Sequence, residues 1–586
     1  MDKTQKNLES MRHSCEHVLM QAVLELFPKV KLAVGPATKD GFYFDFDSNG
    51  EKISENDFPK IEKRMAQIVA QNLPFVRKEI SLAQARQLFK DNPFKLEWLE
   101  EIEKKGGKTT VYYTGNRFFD LCRGPHVQST GQIGAFKLLS IAGAYWRGEE
   151  KNQMLTRIYG TCFATKKELE KYLWQIEEAK KRDHKKLGKE LDYYLIDDEV
   201  GSGLIIWKPN GAIIRMQMEQ FIIKEQLKRG YQFVYSPHIG KKNLWVKSGH
   251  WDLYRDKMYS PMQIDTVEYM VKPMNCPMHM AIYRSQMHSY KELPLRIAEN
   301  ASVYRYEATG ELSGMVRGRH FTQDDAHIFC TPDQVSEEFI AVMEYAFHFL
   351  HAFGIKDYYM QLSIRDPHNK NKYLGSDQIW EDAQAKIKTA VEKTGGRFTI
   401  KEGEAAFYGP KLDFMIKDAL GREWQCGTIQ IDFMLPERFD LNYLDHQGKK
   451  QRPVVIHRAI AGSLERFFAI LVEHYAGAFP LWLSPIQVAI LPISQKQQEF
   501  AQKVHQILTQ AGLRVRLDDE NKTIGYKIRE ATLQKIPYLV IIGDKEVQAS
   551  KKSPYLAVRT REGKDLGQIE IYQFIKQLKS QIEKYF

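Results

Sequence analysis

The stretch Phe321-Thr-Gln-Asp-Asp-Ala-His-Ile-Phe-Cys330 decides the reading of this chain, because it places a soft metal ligand, His327, beside the carboxylates Asp324 and Asp325. Two further ligands sit in comparable surroundings: Cys276 in Lys-Pro-Met-Asn-Cys-Pro and His457 in Val-Ile-His-Arg-Ala. Three protein ligands on a tetrahedral Zn²⁺ leave one position open, and an open position lets a metal meet a substrate instead of stapling a fold. Taken singly, each is read as a packed core residue; the neighbours argue otherwise. Arg305 and Glu307 stand in Val-Tyr-Arg-Tyr-Glu, Arg317 and Arg319 in the loop that follows, and Gly462 and Arg466 in Ala-Gly-Ser-Leu-Glu-Arg-Phe. Several guanidiniums near a metal suit a triphosphate, since Arg offers a planar fork to phosphate oxygens.

Outward from this centre, residues 191–483 open with helical spacing of apolar groups from Asn210 to Leu227, then a strand over Gln232–Tyr235 that Pro237 stops. The remainder alternates short strands and polar turns, as a largely antiparallel sheet does. Residues 1–165 read as mixed helix and strand. Residues 166–190 are Lys/Glu-rich with few breakers and predict a solvated linker helix. Residues 484–586 alternate strand and helix in βαβ fashion, which predicts a small, mostly parallel α/β domain. The expectation is an α+β multidomain chain.

At 586 residues the chain can bury several separate cores. Its formal charge of +11 and pI near 9.0, spread along the chain, are compatible with a polyanionic partner. Six irregularly spaced cysteines are too few for a disulfide framework, which points to the cytosol. The start has no apolar signal segment, and no apolar run approaches the roughly 20 residues of a membrane span.

A second cluster lies near the start, in His13-Ser-Cys-Glu-His17 and Asp120-Leu-Cys122-Arg-Gly-Pro-His126. His13 and His17 are four apart on a predicted helix and share a face. Chemically, these two with Cys122 and His126 make a four-ligand zinc set. It is not the His-Glu-x-x-His motif, because Glu16 is misplaced for it.

The helix and strand ending at Pro237, an Arg-x-Glu strand followed by a loop and Arg-His-Phe, and Gly-x-x-x-Arg resemble the signature motifs of class II aminoacyl-tRNA synthetases. Lys-Pro-Met-Asn-Cys-Pro, the 321–330 stretch, Ala-Phe-Tyr-Gly-Pro-Lys and Gln-Cys-Gly-Thr-Ile-Gln-Ile-Asp-Phe resemble the threonyl-tRNA synthetase family, from about Met11 to the end. The resemblance implies an antiparallel catalytic core at 191–483, an N-terminal α+β editing domain at 1–165, and a C-terminal α/β anticodon-binding domain at 484–586. It implies zinc on Cys276, His327 and His457, with the threonine amino group and hydroxyl completing the coordination and Asp325 accepting from that hydroxyl. It further implies Arg305 on the α-phosphate and carboxylate, with Gln323 and Lys411 at the same centre. Phe321 and Arg466 sandwich adenine, Glu307 reads its amine, Arg317 meets the distal phosphates, and Mg²⁺ accompanies ATP. Tyr408 and Gln430 complete the threonine pocket, and His250 acts in transfer to tRNA(Thr); its plainer reading is a surface imidazole. One departure is Arg319-His320-Phe321, where the family commonly has Arg-Gly-Phe, with Ser313 in place of a frequent histidine.

A pocket that demands a hydroxyl rejects valine by roughly 10⁴ to 10⁵, but a missing methyl is worth only about 1 to 3 kcal/mol, so serine passes. A second check is required. The resemblance maps His13, His17, Cys122 and His126 onto an editing site that hydrolyses mischarged seryl-tRNA, with Lys95 and Asp120 as helpers, and metal occupancy there stays open. It also implies that Asn521, Glu546 and Arg559 read the anticodon, that the chain is a homodimer, and that an extra small N-terminal domain of many members is missing without loss of charging or editing. Lys522, Lys527 and Lys545 are either phosphate contacts or solvated charges. The rivals are another synthetase, such as the prolyl one, and a catalytically silent RNA-binding paralogue.

Overall fold

The structure is a computed structural model that describes residues 3–549 and 554–585. Its contacts divide the chain into two compact units, Met1–Glu177 and Glu178–Phe586. In the first, helix α1 (Lys3–Leu26) covers an antiparallel sheet of β1 (Lys31–Val34), β2 (Phe42–Asp47), Ala135–Tyr145 and Met154–Phe163. Strand β2 alternates as Phe-Tyr-Phe-Asp-Phe-Asp, so Phe42, Phe44 and Phe46 bury against Cys15, Val18, Leu19 and Val23 of α1. Asp45, on the opposite face, is buried too, and a two-point ion pair with Arg157 at 2.6 and 2.7 Å satisfies it. A second, three-stranded sheet contains Phe118–Leu121, which carries Asp120.

The second unit is built on an eight-stranded sheet. Its order is Gln232–Phe233, Leu295–Tyr304, His320–Cys330, Val454–Ala459, Glu423–Asp432, Lys411–Lys417, Tyr358–Ile364 and Phe398–Glu402. The inner pairings are antiparallel, and a parallel pair closes each edge. The first expected strand pairs only over Gln232–Phe233, and the strand before Arg305 ends at Tyr304, which leaves Arg305 and Glu307 in the loop beyond. Two long helices, Val335–Ala352 and Leu464–Tyr475, pack on one face of the sheet, where the reading of short strands and turns had no helix. Leu464–Tyr475 is apolar on most of its circumference and nearly all buried, whereas Val335–Ala352 is amphipathic, with Glu337, Glu344, His348 and His351 exposed on its outer face.

The linker expected over 166–190 is two helices, Lys166–Arg182 and His184–Glu190. Asp183 breaks them by accepting from the Lys185 and Lys186 amides as the second N-cap. The second helix is solvated on one face only: Lys185, Lys186, Lys189 and Glu190 are exposed, but His184 and Leu187 are buried, and His184 Nδ1 lies 2.7 Å from Glu473 Oε1. The five-stranded C-terminal sheet runs in the order Val515–Leu517, Val488–Pro492, Tyr538–Ile542, Tyr555–Thr560 and Asp565–Glu570. Its first two pairings are parallel and its last two antiparallel, so it is a mixed sheet and not the mostly parallel one expected. It stays within the second unit because Arg514 donates to the Trp482 carbonyl at 2.8 Å, Arg561 to that of Phe479 at 2.8 Å, and Tyr585 packs on Trp482. Among the described residues no helix is long and apolar enough to cross a membrane, and all six cysteines are free.

Candidate active site

Side chains alternate along a strand, so Phe321, Gln323, Asp325 and His327 share one face of His320–Cys330 while Thr322, Asp324, Ala326 and Ile328 share the other. The second set is buried in the core. Asp324 therefore holds structure: its two oxygens accept from the Ile460 and Ala461 amides at 2.8 and 2.9 Å, and Arg458 Nη1 lies 3.6 Å away. Burial pushes its carboxyl up to about 7, against the pull of Arg458. That grip fixes the turn leading to Gly462 and Arg466. His320 likewise turns from the cleft, stacks on Tyr304 with ring centroids 4.9 Å apart, and is pushed down to about 4 by burial. The unusual residue of the Arg-His-Phe segment is thus accommodated outside the reaction centre.

Strand register carries the first set sideways. His457 lies opposite His327, Gln430 opposite His457, and Lys411 opposite Gln430, which lines four side chains across four strands. Cys276 joins them from the first turn of the helix Cys276–Arg284. One ligand atom from each of Cys276, His327 and His457 lies within 4.8 Å of the others, and no fourth His, Cys, Asp or Glu of the described residues joins that group. Zinc bonds of about 2.0–2.3 Å in a tetrahedron need ligand separations of roughly 3.3–3.8 Å, so a small closure suffices. Burial drives His327 well below its ordinary value and keeps its ring neutral, the ligating form. Burial drives the Cys276 thiol well above its own, so a thiolate there requires an adjacent cation. The donor set fits zinc.

These groups floor a cleft of about 580 Å³ that also exposes Arg305, Glu307, Arg317, Phe321, Gln323, Asp325, Tyr408, Lys411, Gln430 and Arg466. Arg305 stands over the Phe321 and Tyr254 rings at 5.0 and 5.4 Å from their centroids. Glu307 pairs with Lys257 at 2.8 Å, Lys411 with Asp413 at 2.8 Å, and the Tyr408 hydroxyl donates to Gln430. Arg466 Nε is buried without a hydrogen-bond partner. Burial lowers its guanidinium pKa, as does Arg317 nearby. An anion would satisfy both. Burial raises Asp325, partly countered by His279 and His457.

His250 stands apart from the cleft lining. It is 3 % exposed, not the surface imidazole of the plainer reading, with Nε2 3.9 Å from Cys276 Sγ and Nδ1 2.7 Å from Ser248 Oγ. Burial pushes it down to about 3. Sequence reasoning missed Lys257, His279, Asp413 and Asp432. Of these, only His279, one turn after Cys276, had a signal in its spacing.

In the first unit, ligand atoms of His13, His17, Cys122 and His126 all lie within 4.8 Å of one another. Cys122 Sγ is 3.3 Å from both His13 Nε2 and His126 Nε2; Pro125 O holds His13 Nδ1 at 3.1 Å and Ser14 Oγ holds His126 Nδ1 at 3.0 Å. Burial pushes Cys122 up to about 12 and His126 down to about 2. Lys95 and Asp120, both buried, pair at 2.7 Å. His13, His17, Lys95, Asp120 and Cys122 line a cavity of about 400 Å³. Among the C-terminal residues, Asn521 is exposed, and Glu546 is buried and accepts from the Gly543 amide at 2.9 Å and from Gln568 at 3.1 Å. Arg559 lies opposite Leu539, at the end of Tyr538–Ile542 away from the turn that leads to Glu546. Lys527 is buried and donates to the Pro492 and Asp518 carbonyls, so it is neither a solvated charge nor placed for phosphate.

Comparisons with known proteins agree with this layout. Residues 259–475 match the family described as "tRNA synthetase class II core domain (G, H, P, S and T)", 487–581 the "Anticodon binding domain", and 109–159 the "Threonyl and Alanyl tRNA synthetase second additional domain". With its antiparallel sheet and arginine-lined cleft, the chain is a class II aminoacyl-tRNA synthetase. It is 49% identical to the threonine–tRNA ligase of Thermotoga maritima over 98% of this chain and 88% of that one. It is 48% identical to that of Aquifex aeolicus over 99% and 90%. The chain belongs to the threonine–tRNA ligase family. Among solved structures it is similar to the RNA binding domain of threonyl-tRNA synthetase from Cryptosporidium parvum, with TM-score 0.64, 38% identity, and coverage of 68% of this chain and 98% of that one. It is also similar to a putative threonyl-tRNA synthetase from Aeropyrum pernix, with TM-score 0.60, 29% identity, and 69% and 96% coverage.

Proposed function

We propose that this chain activates threonine with ATP, transfers it to tRNA(Thr), and hydrolyses seryl-tRNA(Thr). The observation that carries the reading is the Cys276, His327, His457 trio lying beside Asp325 on the floor of a cleft lined by Arg305 and Arg466. Zinc bound there supplies a Lewis acid that recognises an amino group and a hydroxyl. Asp325 accepts from the hydroxyl, and Tyr408 with Gln430 closes the pocket around the side chain. Arg305 holds the threonine carboxylate against the α-phosphate; Lys411 and Gln323 offset charge as pyrophosphate leaves. Phe321 and Arg466 clamp adenine, Glu307 reads its amine, and Arg317 meets the outer phosphates, whose charge Mg²⁺ would help to neutralise when bound with ATP. His250, behind Cys276, serves the transfer step.

Editing belongs to the cavity lined by His13, His17 and Cys122, with His126 against Cys122, where neutral imidazoles orient water and Lys95 with Asp120 holds the ester. We assign 1–165 to editing, 166–190 to the linker, 191–483 to synthesis and 484–586 to the anticodon, with Asn521, Glu546 and Arg559 as its readers. A homodimer is supported by the sheet edge at Gln232–Phe233, beside which Tyr235 is 88 % exposed. A cytosolic location rests on the free cysteines. The test is amino-acid-dependent pyrophosphate exchange. Threonine is expected to support it and valine to fail by roughly 10⁴-fold; equal exchange with proline, or none with any amino acid, would overturn the reading.

A further inference from the structure

Both imidazoles of the central trio make a second hydrogen bond away from the cleft. His457 Nε2 lies 2.8 Å from Oδ2 of the fully buried Asp432. The other Asp432 oxygen accepts from the Met434 and Leu435 amides at 2.7 and 3.0 Å, which fixes the carboxylate plane. His327 Nδ1 lies 2.8 Å from His279 Nδ1, and His279 Nε2 lies 3.3 Å from Glu299 Oε2. His279 and Glu299 are 0 % and 4 % exposed. Glu299 also accepts from the Ser236 amide at 2.9 Å and the Asn275 side-chain amide at 3.0 Å, and Lys272 Nζ stands 3.6 Å away.

An imidazole binds metal through the nitrogen that lacks a proton, and the hydrogen bond at its other nitrogen decides which one that is. An ionised carboxylate can only accept. Asp432 therefore keeps the proton on His457 Nε2 and leaves Nδ1 to ligate. Glu299 keeps the proton on His279 Nε2, which makes His279 Nδ1 an acceptor. The proton of the contact between the two rings then belongs to His327 Nδ1, and His327 Nε2 is left free to ligate. The Asn275 amide nitrogen lies 3.1 Å from His279 Nε2 with one of its two N–H groups on Glu299 Oε2; a ring N–H donating to the carboxylate makes a charge-assisted bond, roughly twice as strong as a neutral amide donating to the ring, so Glu299 decides the tautomer.

We propose that Asp432 and the His279–Glu299 pair are positioning residues that set the tautomers of His457 and His327 for zinc. This rests on the reading of the trio as a zinc site, and it gives a role to the whole segment Lys272-Pro-Met-Asn-Cys-Pro-Met-His279. That segment brings one ligand, Cys276, and the support of a second, His327.

The experiment uses the full chain with D432N, H279L, H279Q and E299Q, measuring zinc affinity by competition with a chromophoric chelator beside melting temperature. We expect D432N and H279L to weaken zinc about 10- to 100-fold, E299Q to weaken it less, and H279Q, whose amide oxygen can still accept from His327 Nδ1, to recover part of the loss. Raising free zinc should restore threonine activation. Asp432 also accepts from the first two amides of a short helix, so any folding loss in D432N is judged against H279L and E299Q, which leave those amides bonded. Unchanged zinc affinity in folded H279L and E299Q would overturn the proposal. A wild-type chain that takes up no zinc would overturn the underlying site reading instead, a distinguishable result.

Discussion

His327 and His457 face each other from adjacent strands of one sheet, whereas His13 and His17 ride a single helix and meet Cys122 and His126 on the segment after a strand. The donor types are the same, and the scaffolds give them different chemistry. In the sheet, register holds the two imidazoles, Cys276 joins them from a helix, and a large cleft lies above with Asp325 alongside. In the first unit, four donors crowd together, two of the rings 4.1 Å apart, beside a smaller cavity. Polar satisfaction differs as well. Asp432 and Glu299 are fully engaged, but both oxygens of Glu16, Nδ1 of His17 and Oδ1 of Asp120 are buried without a hydrogen bond, Glu16 Oε2 lying 3.9 Å from His17 Nε2. The lesson is that in the central site the groups holding the imidazoles are engaged and the open donor, Arg466 Nε, belongs to the cleft lining, while in the first unit the groups around the imidazoles themselves are unmet and can be satisfied by water or an ester.

The strongest way to break this comparison is to remove one thiol from each cluster. Cys276→Ser should cost threonine-dependent pyrophosphate exchange more than roughly 10³-fold, since a pocket built around a hydroxyl loses the groups that recognise it. Seryl-tRNA deacylation should stay within about twofold, since that cluster belongs to a different compact unit and shares no partner residue with Cys276. Cys122→Ala should do the reverse: deacylation falls by about 10²-fold or more with activation intact. If either variant lost both activities, the two clusters would not be separate sites.

A subtler contrast lies in pH. Burial depresses His126 to about 2 and drives His17 well below its ordinary value. Unfolded, both take up protons below about 6.5, so the unfolded state binds more protons and stability falls as pH drops, by about 1.4 kcal/mol per pH unit for each ring. Urea unfolding followed in the first unit between pH 8 and 5 should show this loss beginning near 6.5, and His126→Asn should remove the share of one ring while that of His17 remains. Glu16 has the opposite sign. Burial raises its carboxyl well above the ordinary value, so the folded state holds a proton the unfolded state releases, and stability falls as pH rises above about 4.5. Glu16→Gln should therefore raise the melting temperature by a few degrees at pH 8 and leave it unchanged at pH 4, the smallest effect of the set.

Much of the site was legible because its groups cannot be mistaken for packing when they recur together: Cys276, His327, His457 and the arginines announce their chemistry as residue types. The helical spacing of His13 and His17 and the alternation in Phe42–Asp47 follow from local periodicity, and the structure keeps both. Other features depended on contacts between distant segments. Whether Asp324 or Asp325 faced the cleft was a matter of strand phase, settled by pairing with Leu295–Tyr304 and Val454–Ala459. The burial of His250 and Lys527, the break at Asp183 and the supporting roles of Asp432, His279 and Glu299 likewise arise from packing across the fold. A sequence by itself determines which chemical groups are available and their local period. Only tertiary structure decides which of them lose water together, and that desolvation turns scattered side chains into a site.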